Sequence, residues 1–422
     1  MLHKCLPSVV NRWLTILAFT FILLPAAWTH SKFEVLYNFK GGTDWGALDN
    51  ALVFDQEGNL YGTAGGGPHN ENCGGTCGRV FELTPHANGK WTETVLHDFK
   101  YSDTDGYWPF GGVTLDPDGN LYGTTSLGGA YNDGTVFELA PSAGGKWTET
   151  ILYNFGTNKN DIGAPGAALL LDGAGDFFST AGEPYELSPG AGGQWHEHVL
   201  YRFHPHTGKN GTDGSGSNVP VIFDPVGNLY GTTEFGGNYP PICSGGIGCG
   251  TVFELTRQPD GKWKEHVLHR FAQFENDGQL PMAGLVMDSS GNVYGTTYEG
   301  GKYQNGTVFE LSPEADGRWK ETILYEFPIS GHVGNPSDGL VLGATGILYG
   351  TANGGSGSCD WGAVYKLTPG SDGAWAFSIL HEFCVTDGQF PQTLSQDKDG
   401  NLYGTTQSGG TGGYGVVFEI TP

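Results

Sequence analysis

Short alternations of apolar and polar residues, bounded by Gly, Pro, Asp and Asn, run from Phe33 to the end of the chain. Period-two alternation between turn residues is the pattern of β-strands, and no helical stretch separates them. In "GGVTLDPDGNLYGTT" (111–125) an apolar segment enters a turn and the chain returns as "LYGTT". Asp116 is placed to accept hydrogen bonds from the turn's own backbone, and Gly119 to take a positive φ. After a glycine-rich loop, "GTVFELA" (134–140) stops at Pro141, and a polar turn leads to "WTETILYNF" (147–155). One unit is therefore four antiparallel strands.

The unit repeats. Copies of the tyrosine phrase start at Gly58, Gly119, Gly175, Gly227, Gly291, Gly346 and Gly400, with intervals of 61, 56, 52, 64, 55 and 54 residues. Four strands at this period are a propeller blade, and seven of them predict an all-β, seven-bladed β-propeller over 32–422. The ends agree with a closed ring. The chain stops at the third strand "GVVFEITP" (415–422), and the missing fourth strand stands at the start as "FEVLYNF" (33–39). Pairing the two removes an open sheet edge. Residues that recur from unit to unit read as structural, so the repeated Tyr and Thr, and the third-strand Glu82, Glu138, Glu186, Glu254, Glu310 and Glu419, are expected to pack and to accept hydrogen bonds.

The combined phrase "GNLYGTT…GG…GTVFELTP…W.ETVLYNF", carried from Phe33 to Pro422, resembles the bacterial tandem-repeat family called GloVer. The resemblance implies an exported, propeller-like protein and brings no catalytic motif. Relatives often carry a C-terminal anchor, whereas this sequence ends at "FEITP", so surface attachment is not expected.

Composition narrows the partners. Lys and Arg number 20 against 45 Asp and Glu, a formal charge of −25, which argues against nucleic acid and anionic membranes and suits a neutral ligand or a cation. Lys4 and Arg12 precede the apolar run "WLTILAFTFILLPAAW" (13–28), the layout of a signal peptide over 1–31 cleaved between Ala27 and Ser31. The mature chain, with no further apolar span, is expected outside the cytoplasm, extracellular or periplasmic, as a monomer. There, Cys73 with Cys77, Cys243 with Cys249, and Cys359 with Cys384 are expected as disulfides.

In four-stranded order, the loop between strands two and three and the link from strand four to the next unit share one face. That loop holds 14 residues in unit one, 17 in unit four and one, Ala181, in unit three. Unit three should leave a notch beside the link 204–220. Tyr107, Trp108 and Phe110 of the link into unit two, with Tyr239 of the unit-four loop, are the expected ligand-binding aromatics. His196, His198, His204 and His206 suggest a metal, but His198 occupies a position held by Thr in other units, so no metal site is assigned. The "DGxxP" aspartates Asp105, Asp277 and Asp387 read as turn residues; no cofactor is expected, calcium being the one cation they would suit. No nucleophile elbow, zinc-helix motif or phosphate loop occurs. The residues therefore favour a non-enzymatic module that binds a carbohydrate, peptide or protein, over an extracellular lyase or hydrolase with its site at the top of the central channel.

Overall fold

The computed structural model describes residues 31–422 apart from 45, 47–50, 158–160, 205–212, 238–242, 244–246, 330–332 and 355–358. The expected signal peptide, Ser31 excepted, and Tyr239 lie outside these residues. Seven antiparallel sheets follow one another in chain order, each with four strands in sequential order from the inside outwards. Blade two is typical, with strands Val113–Leu115, Leu121–Thr125, Thr135–Ser142 and Lys146–Asn154. The seventh blade takes its outer strand from the other end of the chain. Lys32–Asn38 pairs antiparallel with Val416–Thr421, with Lys32 opposite Thr421 and Val35 opposite Phe418. This is the closure expected from the sequence.

One kind of aromatic pair recurs at every blade junction. The last aromatic of a fourth strand meets the aromatic of the next blade's third strand: Phe39–Phe81, Phe99–Phe137, Phe155–Tyr185, Phe203–Phe253, Phe271–Phe309, Phe327–Tyr365 and Phe383–Phe418. Ring centroids are 5.1 to 5.7 Å apart, mostly edge-on, the geometry the ring quadrupoles favour. The seven pairs run round the ring and return to blade one.

This pairing explains the glycine of the tyrosine phrase. A Cβ on Gly123 would stand 2.5 Å from Cζ of Phe137, and on Gly295 2.5 Å from Cζ of Phe309. The glycine makes room for the partner strand's ring and, at Gly123, for the Gly112 carbonyl oxygen 2.7 Å away as well. The rest of the phrase is as expected. Asp116 accepts from the backbone N–H groups of Asp118 and Asn120, from the Asn120 side chain and from the Tyr122 hydroxyl, while Gly119 has φ +88°. Burial disfavours the Asp116 charge, but these donors outweigh it and hold the carboxyl below its ordinary value. The tyrosines reach the third-strand glutamates, as in Tyr122–Glu138 at 3.1 Å and Tyr230–Glu254 at 2.9 Å. Their rings lean on the next blade's tryptophan, as in Tyr61–Trp147 and Tyr230–Trp319.

Gly295→Ala should cost about 1–3 kcal/mol of stability through overpacking against Phe309, read by urea unfolding. An unchanged midpoint would show that the ring does not require the glycine.

Candidate functional site

The links and the loops between strands two and three are joined on one face. Gly106–Tyr107 pairs with Leu127–Gly128, and Gly278–Gln279 with Glu299–Gly300. Among the described residues, five links repeat one unusual backbone. Trp108, Ala164, Leu280, Asn335 and Phe390 all have left-handed φ, between 48° and 60°, and each precedes a proline. A non-glycine residue held there costs ~1–3 kcal/mol and persists only under constraint. The constraint is visible. Each of the five donates its N–H to a carbonyl just before the third strand: Cys77, Asp133, Cys249, Asn305 and Trp361, at 2.7 to 2.9 Å. The following proline then packs where a Cβ on Gly78, Gly134, Gly250, Gly306 or Gly362 would lie, at 2.4 to 2.8 Å from its Cδ. The backbone is constant and the side chain it presents differs at every link.

The expected ligand aromatics fall unequally on this frame. Tyr107 is 5% exposed, packed in the core between blades one and two, with its hydroxyl donating to Asn132 at 3.2 Å. Trp108 and Phe110 are half-buried neighbours with ring centroids 6.1 Å apart. A second pair was not foreseen: Phe390, which matches Trp108 in the link into blade seven, lies 5.6 Å from Trp361, which stands just before the third strand of blade six and accepts the Phe390 N–H. The signal was present in the residue preceding each link proline, but it needed the left-handed backbone to make Trp108 and Phe390 equivalent. All three expected disulfides are formed: Cys73–Cys77, Cys243–Cys249 and Cys359–Cys384. At unit three the link folds over the short turn, with Gly182 and Ser217 exchanging backbone hydrogen bonds and Asn218 accepting from Gly182 N. His196 and His198 are exposed on the outer strand, and His204 Nδ1 lies 2.6 Å from Asp213. His206 is outside the described residues.

Deeper in the same links lies a polar seam. At five blade junctions a fourth-strand residue meets an aspartate of the link and a glutamate of the next blade's fourth strand. Three junctions use tyrosine: Tyr37 with Asp44 and Glu93, Tyr153 with Asp161 and Glu197, and Tyr201 with Asp213 and Glu265. Two use histidine: His97 with Asp105 and Glu149, and His269 with Asp277 and Glu321. The remaining two replace the glutamate with phenylalanine, stacking Tyr325 on Phe377 at 4.2 Å and His381 on Phe33 at 3.6 Å. All three DGxxP aspartates thus face a histidine, and each also accepts a link N–H, from Lys100, Gln273 or Cys384. The sequence carried this as a glutamate two residues after the fourth-strand tryptophan, which alternation alone marks as merely outward.

Two neighbouring carboxylates out of water resist double ionisation. Tyr37 Oη is 2.9 Å from both Asp44 and Glu93, yet has one hydrogen to give, so full pairing needs a proton on one carboxyl. Burial first, then Asp161 beside it, pushes Glu197 up to about 8; burial and Asp213 push Glu265 up to about 7. Glu149 and Glu321 rise for the same reasons, beside Asp105 and Asp277. Burial alone would lower His97, but its carboxylate neighbours outweigh this and raise it.

The Gloeobacter/Verrucomicrobia repeat model matches residues 24–186, 179–356 and 316–422. The chain belongs to this family. As a Gloeobacter/Verrucomicrobia repeat protein it shares its fold with PorZ, described as an essential bacterial surface component of the type-IX secretion system of Porphyromonas gingivalis, at TM-score 0.51 and 17% identity. That alignment covers 91% of this chain and 47% of PorZ, so the repeat protein spans about half of PorZ's length. Weaker likenesses are to a Dyadobacter fermentans protein of unknown function (TM-score 0.46, 11% identity, 93% of this chain and 98% of that one) and a putative 6-phosphogluconolactonase of Bacteroides uniformis (0.49, 13%, 83% and 90%). No curated protein matches the sequence. Among the described residues no helix is long and apolar enough to cross a membrane.

The seams make stability depend on pH. The folded state holds the Glu197 proton more tightly than the unfolded chain, whose carboxyl titrates near 4.5. Stability should therefore be full below that value, fall as pH rises towards about 8, and level off above. Glu197→Gln should flatten the fall and raise the alkaline melting temperature. A melting temperature that climbs between these pH values in the unaltered protein would contradict the shared-proton seam.

Proposed function

We propose that this protein is an exported recognition module that takes a carbohydrate, peptide or protein ligand on its loop face, as a monomer. The supporting observation is the five-fold repetition of one left-handed link backbone carrying Trp108, Ala164, Leu280, Asn335 and Phe390. A fixed frame with a different side chain at each station suits selective contact, and the half-buried Trp108–Phe110 and Trp361–Phe390 pairs offer π-faces on preorganised supports. Tyr107 backs Trp108 from the core, and Tyr239 belongs to the enlarged loop of blade four. The acidic seams recur around the ring, whereas a lyase or hydrolase centre would be concentrated at one place. The charge of −25 favours a neutral or cationic ligand. Export is supported by the leader pattern over 1–31 and by the three disulfides, which suit an oxidising compartment.

A glycan and peptide array probed with the secreted protein, with and without calcium, should give a defined ligand class. Trp108→Ala and Phe390→Ala should each weaken the best hit by about tenfold or more, while His198→Ala on the outer strand should not. Full binding by both aromatic variants would place the ligand elsewhere. Intact-mass measurement of the exported protein should show a new N-terminus between residues 28 and 32 and no free thiols; an intact leader would end the export reading.

A further inference from the structure

Two of the seams differ from the rest in the donor set they bring together, one imidazole facing two carboxylates. We propose that His97, Asp105 and Glu149, and again His269, Asp277 and Glu321, are two binding sites for a divalent transition metal of the zinc(II) class, clamping blade one to two and blade four to five.

The separations are the first ground. His97 Nε2 stands 3.5 Å from Asp105 Oδ1 and 3.6 Å from Glu149 Oε2. His269 Nε2 stands 3.4 Å from both Asp277 Oδ1 and Oδ2, the former a long hydrogen bond, and 3.6 Å from Glu321 Oε2. These are long for charged hydrogen bonds, which close to about 2.7–2.9 Å. They match the edge of a tetrahedron around an ion with metal–ligand bonds of about 2.0–2.1 Å, roughly 3.3–3.5 Å. Within each trio, the three donor atoms lie within 4.8 Å of one another.

The second ground is burial without satisfaction. The side chains of His269, Asp277 and Glu321 are 7%, 1% and 10% exposed, and that of Asp105 is 9%. His97 Nε2 and Asp105 Oδ1, two of the proposed ligand atoms, are buried with no hydrogen-bond partner; Glu149 Oε1 and Glu321 Oε1 are too, as are the matching oxygens of Glu93 and Glu265 at the tyrosine seams. Such groups are costly unless something pairs with them. Backbone N–H groups of Lys100 and Gln273 meanwhile hold the two aspartates in place, as outer-shell donors orient metal ligands.

The third ground is internal comparison. Asp follows His by eight residues and Glu follows it by fifty-two in both trios (97, 105, 149 and 269, 277, 321), although they lie three blades apart. Where the third ligand is missing, at His381, Phe33 stacks on the imidazole and His381 Nε2 closes to 3.1 Å from Asp387, an ordinary hydrogen bond. At the tyrosine seams the hydroxyl donates directly, at 2.8 to 3.1 Å. Imidazole with two carboxylates selects zinc-class ions over calcium, which takes six to eight oxygens. Three protein ligands leave a fourth position for water; repetition at equivalent seams marks the pair as clamps rather than as one reactive centre.

The test uses the full secreted protein, dialysed against EDTA and titrated with zinc chloride by calorimetry, with bound metal counted by elemental analysis. His196, His198 and His204, exposed on the surface, are replaced by Ala in every sample. Two equivalents should bind and the melting temperature should rise. His97→Tyr should leave one equivalent, and His97→Tyr with His269→Tyr none. These variants should fold, because tyrosine holds the same place at positions 37, 153, 201 and 325. Cobalt(II) should give visible bands of four-coordinate geometry that the double variant lacks. Absence of zinc binding, two equivalents retained by the double variant, or binding of calcium that zinc does not displace would each overturn the proposal.

Discussion

The aromatic pair at each blade junction sets the geometry of the whole molecule. A blade has two apolar faces and cannot hide either alone, so Phe39, Phe99, Phe155, Phe203, Phe271, Phe327 and Phe383 must each find a ring on the next blade. The requirement propagates. The second strand must carry glycine opposite that ring, except in blade three, where Ser179 faces Tyr185. The last blade must likewise meet the first, which is why the N-terminal strand is borrowed to finish it. Closing the ring leaves no blade with an uncovered apolar face and shields the sheet edges.

Above the aromatic pairs, the junctions divide their polar work between two levels. The seam trios join neighbouring blades through buried carboxyls, and their variants, with tyrosine, histidine or phenylalanine substituted in the same places, show that the position tolerates different chemistry as long as it is filled. Nearer the surface the X–Pro link is locked by one backbone hydrogen bond and by proline packed on glycine. That lock uses no side-chain atom of residue X. The side chain at X is therefore free to change without loss of the ring, and this separation of support from contact is what the proposed recognition role draws on.

The strands, their number, the turn chemistry and the ring closure were all legible in the sequence, because each depends on spacing within a unit or on a unit missing a part. Asp116, Gly119 and Tyr122 act through neighbours a few residues away, and local pattern reports local contacts. The disulfides were legible for a similar reason: Cys73 and Cys77 are four apart, and Cys359 and Cys384 lie on one face by topology. Tyr107, by contrast, read like its neighbours Trp108 and Phe110, yet its side chain turns into the core.

The sequence by itself determined a closed ring of seven like sheets, since periodicity, turn residues and a displaced strand are properties of the chain's order. Only the tertiary structure decided which side chains meet across blades. His97 and Glu149, or Trp361 and Phe390, belong to different units and come together because consecutive wedges are packed at a set angle. A repeat pattern specifies the wedge; the chemistry at its boundary arises when two wedges are pressed together.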